Sequence, residues 1–262
     1  MTQTLLALKT LAGKKGLVVG IANEHSIAWG CAKAFHDAGA ELAATYLNDK
    51  AKPYVTPLTE QLEAPIVLPL DVQVDAQMEA LFAAINAKWG KLDFLLHAIA
   101  FAPKQDLQGR FVDCSRAGFL EAMDISCYSF IRLAHLAEPL MKDGGCLLTT
   151  TYYGGVEVIP SYGMMGPVKS ALEGTVKYLA AELGAKNIRV NALSPGPIAT
   201  RAAGGIANFD NLLKLAHEKS PLHETVSIDG VGAYARFLVS DEAKLVTGSI
   251  AYIDAGYNII GG

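Results

Sequence analysis

The chain has 262 residues, 51% of them hydrophobic, so it is long enough to enclose one large apolar core. Its net charge of −4 at pH 7 and the lack of a basic run argue against a nucleic-acid-binding protein. No apolar stretch reaches the roughly 18 uncharged residues that a membrane span needs, so we expect no membrane association. We interpret residues 1–10 as a lead-in to the first strand rather than a signal peptide.

The cysteines and histidines indicate neither disulfides nor a metal site. Cys31, Cys114, Cys127 and Cys146 are scattered without a C-x-x-C pair, as is typical of reduced thiols in a cytoplasmic protein. The six histidines lack the H-x3-H and H-E-x-x-H spacings of zinc sites. We interpret His97, at the end of an apolar run, as a packed residue at a strand end. The predictions are therefore a cytoplasmic location and no metal.

Apolar runs bounded by glycine or turn residues alternate with helical patterns along the whole chain. Strands are predicted at residues 16–20, 41–46, 66–70, 92–98, 145–151, 189–194 and 249–253. Helices are predicted at 26–38, 75–88, 119–141 and 163–185, the second capped by Asp75.

This alternation predicts an α/β fold: a single-domain, Rossmann-like, doubly wound sheet of seven parallel strands with helices on both faces, spanning residues 1–262. Residues 196–221 are too many for a simple connection, so we predict a substrate-binding loop there. Within it, the stretch 202–209 is rich in alanine and glycine and is expected to be mobile until a cofactor orders it.

The turn after the first strand has the features of a phosphate-binding turn. It runs from Gly20 to Ser26 through small residues that let backbone amides approach a diphosphate, and a helix N-terminus follows. The Ser26 hydroxyl could donate to a phosphate, or it could simply cap the helix. The second strand ends in Leu47-Asn48-Asp49-Lys50. The 2′-phosphate of NADPH needs a cation there. Leu47 and Asn48 offer none and Asp49 would repel a phosphate, so NADH is favoured over NADPH although Lys50 is basic.

A pair of polar side chains carries the chemistry. Tyr162 and Lys169 are separated by six residues, about two helical turns, and Tyr152 lies ten residues before Tyr162. A phenol and an ammonium beside one nicotinamide can polarise a carbonyl and stabilise an enolate. Such a pair alone occurs by chance in structural positions. Here, however, it follows a predicted strand and precedes the run Ser194-Pro-Gly-Pro.

The Tyr-x6-Lys spacing resembles the bacterial enoyl-acyl-carrier-protein reductases, which are divergent short-chain dehydrogenases. The turn motif Gly-x5-Ser-x-Ala-x-Gly, here Gly20, Ser26, Ala28 and Gly30, is also similar to that family. The resemblance extends over nearly the whole chain. It implies an NADH-dependent, homotetrameric enzyme of fatty-acid biosynthesis that reduces an enoyl thioester carried by acyl carrier protein.

The resemblance also implies roles for individual residues. Tyr162 would bond the thioester oxygen, Lys169 would hold the nicotinamide ribose and lower the pKa of the phenol, and Tyr152 would flank the substrate. Cofactor contacts are expected from Gly20, Ala22, Ser26, Ile27, Leu47, Asp71, Val72, Ala98, Ile99, Ala100, Lys169, Pro197, Ile198 and Thr200. Substrate contacts are expected from Phe101, Ala102, Leu107, Tyr152, Tyr162, Met165, Ile206 and Phe209.

One departure from the family concerns the carrier. Family members often have basic residues just after the substrate-binding loop, whereas this chain has Asp210 and Asn211. Arg201, Lys214 and Lys219 could supply the positive charge instead. Two other functions stay open on the sequence: a carbonyl reductase of the same fold that acts on 3-ketoacyl or similar substrates with NAD(P)H, and a dinucleotide-binding homologue without activity.

Overall fold

The structure is a computed structural model that describes residues 9–201, 203–206 and 209–260. Most of the predicted N-terminal lead-in therefore lies outside the described residues. So do Ala202, Ala207 and Asn208 of the predicted substrate-binding loop.

The described residues form one seven-stranded sheet in which every neighbouring pair of strands is parallel. The strands, in chain order, are β1 (Lys15–Val19), β2 (Glu41–Tyr46), β3 (Ile66–Pro69), β4 (Phe94–His97), β5 (Gly145–Thr150), β6 (Ile188–Pro195) and β7 (Ile250–Ile253). Their order across the sheet is β3-β2-β1-β4-β5-β6-β7. The predicted doubly wound parallel sheet is confirmed.

Helices cover both faces of this sheet. They are α1 (Ile27–Asp37), α2 (Lys52–Gln61), α3 (Asp75–Trp89), α4 (Lys104–Gln108), α5 (Arg116–Met123), α6 (Ser129–Ala137), α7 (Met165–Leu183), α8 (Phe209–Lys219) and α9 (Ile228–Val239). One apolar layer joins the sheet to α3, α6 and α7, and the other joins it to α1, α2 and α9. Among the described residues, no helix has the length and apolar character to span a membrane.

The strands show why two layers form. In β1, Leu17 and Val19 pack into one layer and Val18 packs into the other, because successive side chains of a strand point to opposite faces. All three are almost completely buried. Apolar residues at consecutive positions therefore require cover on both faces, as expected for a parallel sheet.

The helix predicted at 119–141 is wrong as a continuous element. The structure has α5, then a π-helical turn at Asp124–Tyr128, then α6, and a short 3₁₀ turn at Glu138–Leu140. The Ser129 hydroxyl donates to the Ile125 carbonyl at 2.7 Å, inside the turn where the α-helical hydrogen-bonding pattern is interrupted. Proline 139 cannot donate a backbone hydrogen bond, which favours the end of the helix there.

Three smaller predictions also need correction. Asp75 is the first residue of α3 and not its cap, since Val74 holds the cap position without a side-chain bond. The stretch 196–221 is not a loop throughout, because it contains a 3₁₀ turn at Ala203–Gly205 and the helix α8. No helix was predicted between β2 and β3, yet α2 lies there; Pro53 is in its first turn, where a proline is tolerated.

Candidate active site

A cavity of about 410 Å³ opens at the carboxyl edge of the sheet. Val19, His97 and Thr149 lie side by side in the register of β1, β4 and β5. Because these strands are parallel, the segments that follow them leave the sheet at the same edge. The cavity therefore lies where ligands bind in open α/β sheets.

Tyr162 and Tyr152 meet inside this cavity. Their rings are 4.9 Å apart, centroid to centroid, in an edge-to-face arrangement. Tyr162 is buried, and its ring packs against Gly154, where an added Cβ would lie 2.4 Å from Tyr162 Cδ1. The Tyr152 hydroxyl is also buried and has no hydrogen-bond partner among the described residues. Within the part of the chain that the structure describes, the Tyr152 phenol is thus left unsatisfied.

Lys169 enters the cavity from the first turns of α7. It is 4% exposed, and its Nζ donates to the Thr150 carbonyl at 2.8 Å. Burial lowers the pKa of this ammonium to about 8, against an ordinary 10.5. The cation is thus available near neutral pH and is lost in mildly alkaline solution.

The expectation that Lys169 lowers the pKa of Tyr162 is wrong for the structure described. Burial raises the pKa of Tyr162 above its ordinary value, and nearby Tyr152 and Glu173 raise it further. The pKa of Tyr152 is also raised, mainly by burial. Both phenols are therefore protonated at neutral pH and can donate hydrogen bonds.

The turn after β1 forms the opposite end of the cavity. Gly20 has φ +113°, and an added Cβ would lie 2.2 Å from the Ala98 carbonyl oxygen, so only glycine fits. Ser26 occupies the cap position of α1 without making a capping bond. Its hydroxyl donates to the Asn23 carbonyl at 2.7 Å and closes the turn.

The structure brings most of the predicted site residues together. Those lining the cavity are Gly20, Ala22, Ser26, Ile27, Ala98, Ile99, Ala100, Phe101, Ala102, Leu107, Tyr152, Tyr162, Met165, Lys169, Pro197, Ile198, Thr200, Ile206 and Phe209. Leu47, Asp71 and Val72 do not line it; they follow β2 and β3, farther along the sheet edge. The Asp71 carboxylate accepts from the Gln73 amide at 3.0 Å, so here it stabilises a turn.

Several lining residues were not predicted. They are Ala28, Thr150, Thr151, Pro195, Gly196, Arg201, Ala203, Gly205 and Leu212. Thr150 and Thr151 directly follow the buried run of β5, so their position at a strand end was an available signal. Arg201 was noted only as a possible source of charge for the carrier. The sequence alone does not show that a single arginine in a glycine- and alanine-rich stretch faces a cavity.

His97, at the end of β4, is buried beside the cavity wall and does not line the cavity. Its Nδ1 and Nε2 lie 2.8 Å from the hydroxyls of Thr149 and Ser129. Because Ser129 gives its own proton to Ile125, Nε2 carries the ring hydrogen and Nδ1 accepts from Thr149. Burial lowers the pKa of His97 to about 3, so the ring is neutral. The interpretation of His97 as a packed strand-end residue agrees with this position.

Comparison with known proteins decides the family. A family model described as enoyl-(acyl carrier protein) reductase matches residues 20–258. The chain belongs to the enoyl-(acyl carrier protein) reductase family. The resemblance found in the sequence is confirmed.

Individual reductases of this family are similar over their whole length. The enoyl-[acyl-carrier-protein] reductase [NADH] FabI of Synechocystis sp. is 50% identical over 96% of this chain and 98% of its own. Enoyl-[acyl-carrier-protein] reductase [NADH] 1 of Rhizobium meliloti is 49% identical over 95% of this chain and 92% of its own. A crystal structure of the reductase from Anaplasma phagocytophilum, in complex with NAD, is 45% identical with a TM-score of 0.93 and covers 97% of each chain.

Proposed function

We propose that this reductase uses NADH to reduce the carbon–carbon double bond of a trans-2-enoyl thioester carried by acyl carrier protein, a step of fatty-acid elongation. The observation that carries the proposal is the buried pair of protonated phenols, Tyr152 and Tyr162, beside Lys169 in a mainly apolar cavity. The relatives' names supply the same activity and the same cofactor.

The residues present fit a nicotinamide dinucleotide. Gly20 leaves room that a Cβ would fill, and the N-terminus of α1 follows at Ile27, where backbone amides favour an anion. We assign the diphosphate to the turn at Gly20 and Ser26, and the nicotinamide ribose to Lys169. Pro197 and Ile198 are assigned to the nicotinamide carboxamide, and Thr200 to a cofactor phosphate.

Tyr162 is the proposed catalytic residue that donates a hydrogen bond to the thioester oxygen. A protonated phenol donates to this oxygen more strongly as negative charge develops on it, and such interactions accelerate the reaction. When bound, the reduced nicotinamide would supply the hydride that the β-carbon receives, and a proton from the solvent would then reach the α-carbon to complete the reduction. Tyr152 flanks the same oxygen or the acyl chain, and the apolar side chains of Phe101, Leu107 and Met165 exclude water.

The cofactor preference rests on the end of β2. Leu47 is 55% exposed there, and Asp49 adds a negative charge that disfavours a 2′-phosphate. The named relatives are NADH enzymes. NADH is therefore the proposed reductant, with NADPH the weaker one.

A cytoplasmic homotetramer is the proposed form of the enzyme. Large apolar side chains stay exposed on the single chain, among them Leu120 and Tyr128 near α5 and Tyr178 on α7. Exposed apolar groups of this kind favour association.

The test follows the loss of NADH absorbance with trans-2-enoyl thioesters of acyl carrier protein and of coenzyme A. We expect rapid oxidation with a preference for the carrier form, because acyl carrier protein is the proposed partner. Tyr162→Phe should lower kcat by about 100-fold or more, since one polarising donor is lost, while NADH binding measured by fluorescence stays unchanged. Oxidation with a 3-ketoacyl thioester instead would support the carbonyl reductase. NADH binding without any turnover would support the inactive homologue.

A further inference from the structure

The charge of the cavity differs from that of the chain. Acidic residues outnumber basic ones by 26 to 22 overall. The described residues that line the cavity nevertheless include two cations, Lys169 and Arg201, and no carboxylate. A cavity with this lining favours anionic ligands, since unpaired positive charge at a cleft attracts them.

The two cations have different surroundings. Lys169 is buried at the inner end and already donates to Thr150. Arg201 is exposed and lies at the cavity between Thr200 and the 3₁₀ turn Ala203–Gly205. The ion pairs found among the described residues use other cations. The guanidinium of Arg201 is thus available to a ligand.

Two kinds of anion could meet Arg201: a cofactor phosphate, since Thr200 beside it is an expected cofactor contact, and an anionic group of the substrate. We favour the substrate group. The proposed diphosphate site is the turn at Gly20 and the N-terminus of α1, which belong to a different segment of the cavity wall. The residues that follow Arg201, namely Ala203, Gly205 and Ile206, lead to Phe209 and Leu212 on the apolar side. With the thioester at Tyr162 and the acyl chain on the apolar side, the attachment of the thioester leads toward the opening, and the first anionic group along it is a phosphate.

We propose that Arg201 binds the phosphate of the phosphopantetheine arm, which acyl carrier protein and coenzyme A both contain. This proposal rests on the proposed function, because it assumes an enoyl thioester in the cavity. A guanidinium suits the role, since it can give two parallel hydrogen bonds to a phosphate and stays charged at every physiological pH. This contact would also explain how a reductase of this family binds its substrate with Asp210 and Asn211, and not basic residues, at the start of α8.

The test compares two substrates that differ only in the phosphate: the same trans-2-enoyl group on phosphopantetheine and on pantetheine. For the wild-type chain we expect kcat/KM to be about tenfold higher with the phosphorylated thioester, the effect of one charge-assisted contact. Arg201→Gln should erase this ratio by raising KM for the phosphorylated thioester alone. Arg201→Lys should keep part of it.

Arg110→Gln is the matched control, because Arg110 is an exposed arginine that pairs with Asp113 and does not line the cavity. It should leave the ratio unchanged. Equal losses with both thioesters in Arg201→Gln would overturn the proposal, and so would a higher KM for NADH with an unchanged ratio. If Arg201→Gln reduces the pantetheine thioester at the wild-type rate, the enoyl reduction of the proposed function is intact, whatever the ratio between the two thioesters. A wild-type chain that reduces neither thioester would refute both proposals.

Discussion

Burial changes the pKa of Lys169. Its ammonium is surrounded by protein and faces one carbonyl, which lowers its pKa to about 8. The unfolded chain keeps the ordinary value near 10.5, so between these values the unfolded state binds more protons. This group therefore contributes increasing stability as pH rises through that window. Its charge follows the opposite trend, because the cation is present below pH 8.

The pH dependence of cofactor binding follows from this charge. If Lys169 holds the nicotinamide ribose as a cation, the Kd for NADH should rise above pH 8, by about tenfold per pH unit, because binding then requires uptake of a proton. Fluorescence titration between pH 7 and 9.5 measures this. Lys169→Gln should bind weakly and without that slope. A flat profile in the wild-type chain would contradict the assigned role.

Gly154 determines where the ring of Tyr162 lies. Since a Cβ at this position would lie 2.4 Å from Tyr162 Cδ1, Gly154→Ala should displace the phenol. We expect kcat to fall by about 100-fold, the scale of a displacement near 1 Å, and the melting temperature to fall as well, because the added methyl overpacks a buried ring. Gly184→Ala is the matched control, because nothing lies within 4 Å of its Cβ and its φ is −58°. A wild-type kcat in Gly154→Ala would show that the ring position is not critical.

At this scale, the sequence contains the reacting groups but not their environment. Tyr162 and Lys169 could be found because their spacing, after a predicted strand and before the run Ser194-Pro-Gly-Pro, resembles that of a known family. The raised pKa of Tyr162 could not be found, because it depends on burial by residues such as Gly154 and Tyr152, which only the fold places there. Leu47, Asp71 and Val72 stay predictions as cofactor contacts, since the cavity does not include them.

Among the elements, the π-helical turn at Asp124–Tyr128 has the most direct effect on the site. Ser126 Oγ accepts from the Phe101 amide at 2.9 Å and donates to the Phe101 carbonyl at 3.1 Å. The turn thereby fixes the segment after β4, including Phe101 and Ala102, which line the cavity. An element that interrupts a helix thus positions part of the substrate wall.

Ser126→Ala removes both bonds to Phe101. We expect it to lower the free energy of unfolding by about 1 kcal/mol and to raise the KM for the enoyl thioester. Ser240→Ala is the matched control, since its hydroxyl also makes two backbone contacts, to Phe237 and Glu242, at the far end of α9. It should lose similar stability in urea denaturation and keep KM. An unchanged KM in Ser126→Ala would mean that the segment is positioned without the turn.

The elements that could be predicted are those with a regular apolar pattern. Each of the predicted strands overlaps an observed strand, because parallel strands buried on both faces are short apolar runs. The break between α5 and α6 could not be predicted, because a π-turn adds one residue to a pattern that stays apolar on both sides. The helix α8 was missed since the glycine- and alanine-rich stretch before it suggested an irregular loop.

For the whole molecule, the exposed apolar residues predict assembly. The ring of Tyr178 on α7 is 82% exposed in the single chain, where a polar substitution would change stability by only about ±0.5 kcal/mol. In a tetramer that uses this face, Tyr178→Glu would bury a charge. We expect smaller species in sedimentation velocity experiments.

Tyr54→Glu is the matched control, because Tyr54 is 61% exposed on α2, on the other face of the sheet. It should leave the assembly intact. A tetramer that persists in Tyr178→Glu would place the interface elsewhere.

The fold class of the molecule was predictable because strand and helix signals alternate along its entire length. Its assembly was suggested only by the family resemblance, since surface exposure depends on packing.

The Tyr152 hydroxyl has a consequence for molecules that compete with the substrate. It is removed from water in the folded chain and gains no bond in return from the described residues, so the desolvation cost of this group is already incurred before anything binds. A ligand that presents an oxygen acceptor to it, once the Tyr152 ring has turned its hydroxyl toward the cavity, therefore gains a hydrogen bond without that cost, about 1–3 kcal/mol or a 5- to 150-fold difference in Kd. A compound of the same shape without the acceptor would lose this advantage. Selectivity among inhibitors of this reductase should thus depend on one oxygen atom more than on apolar contact area.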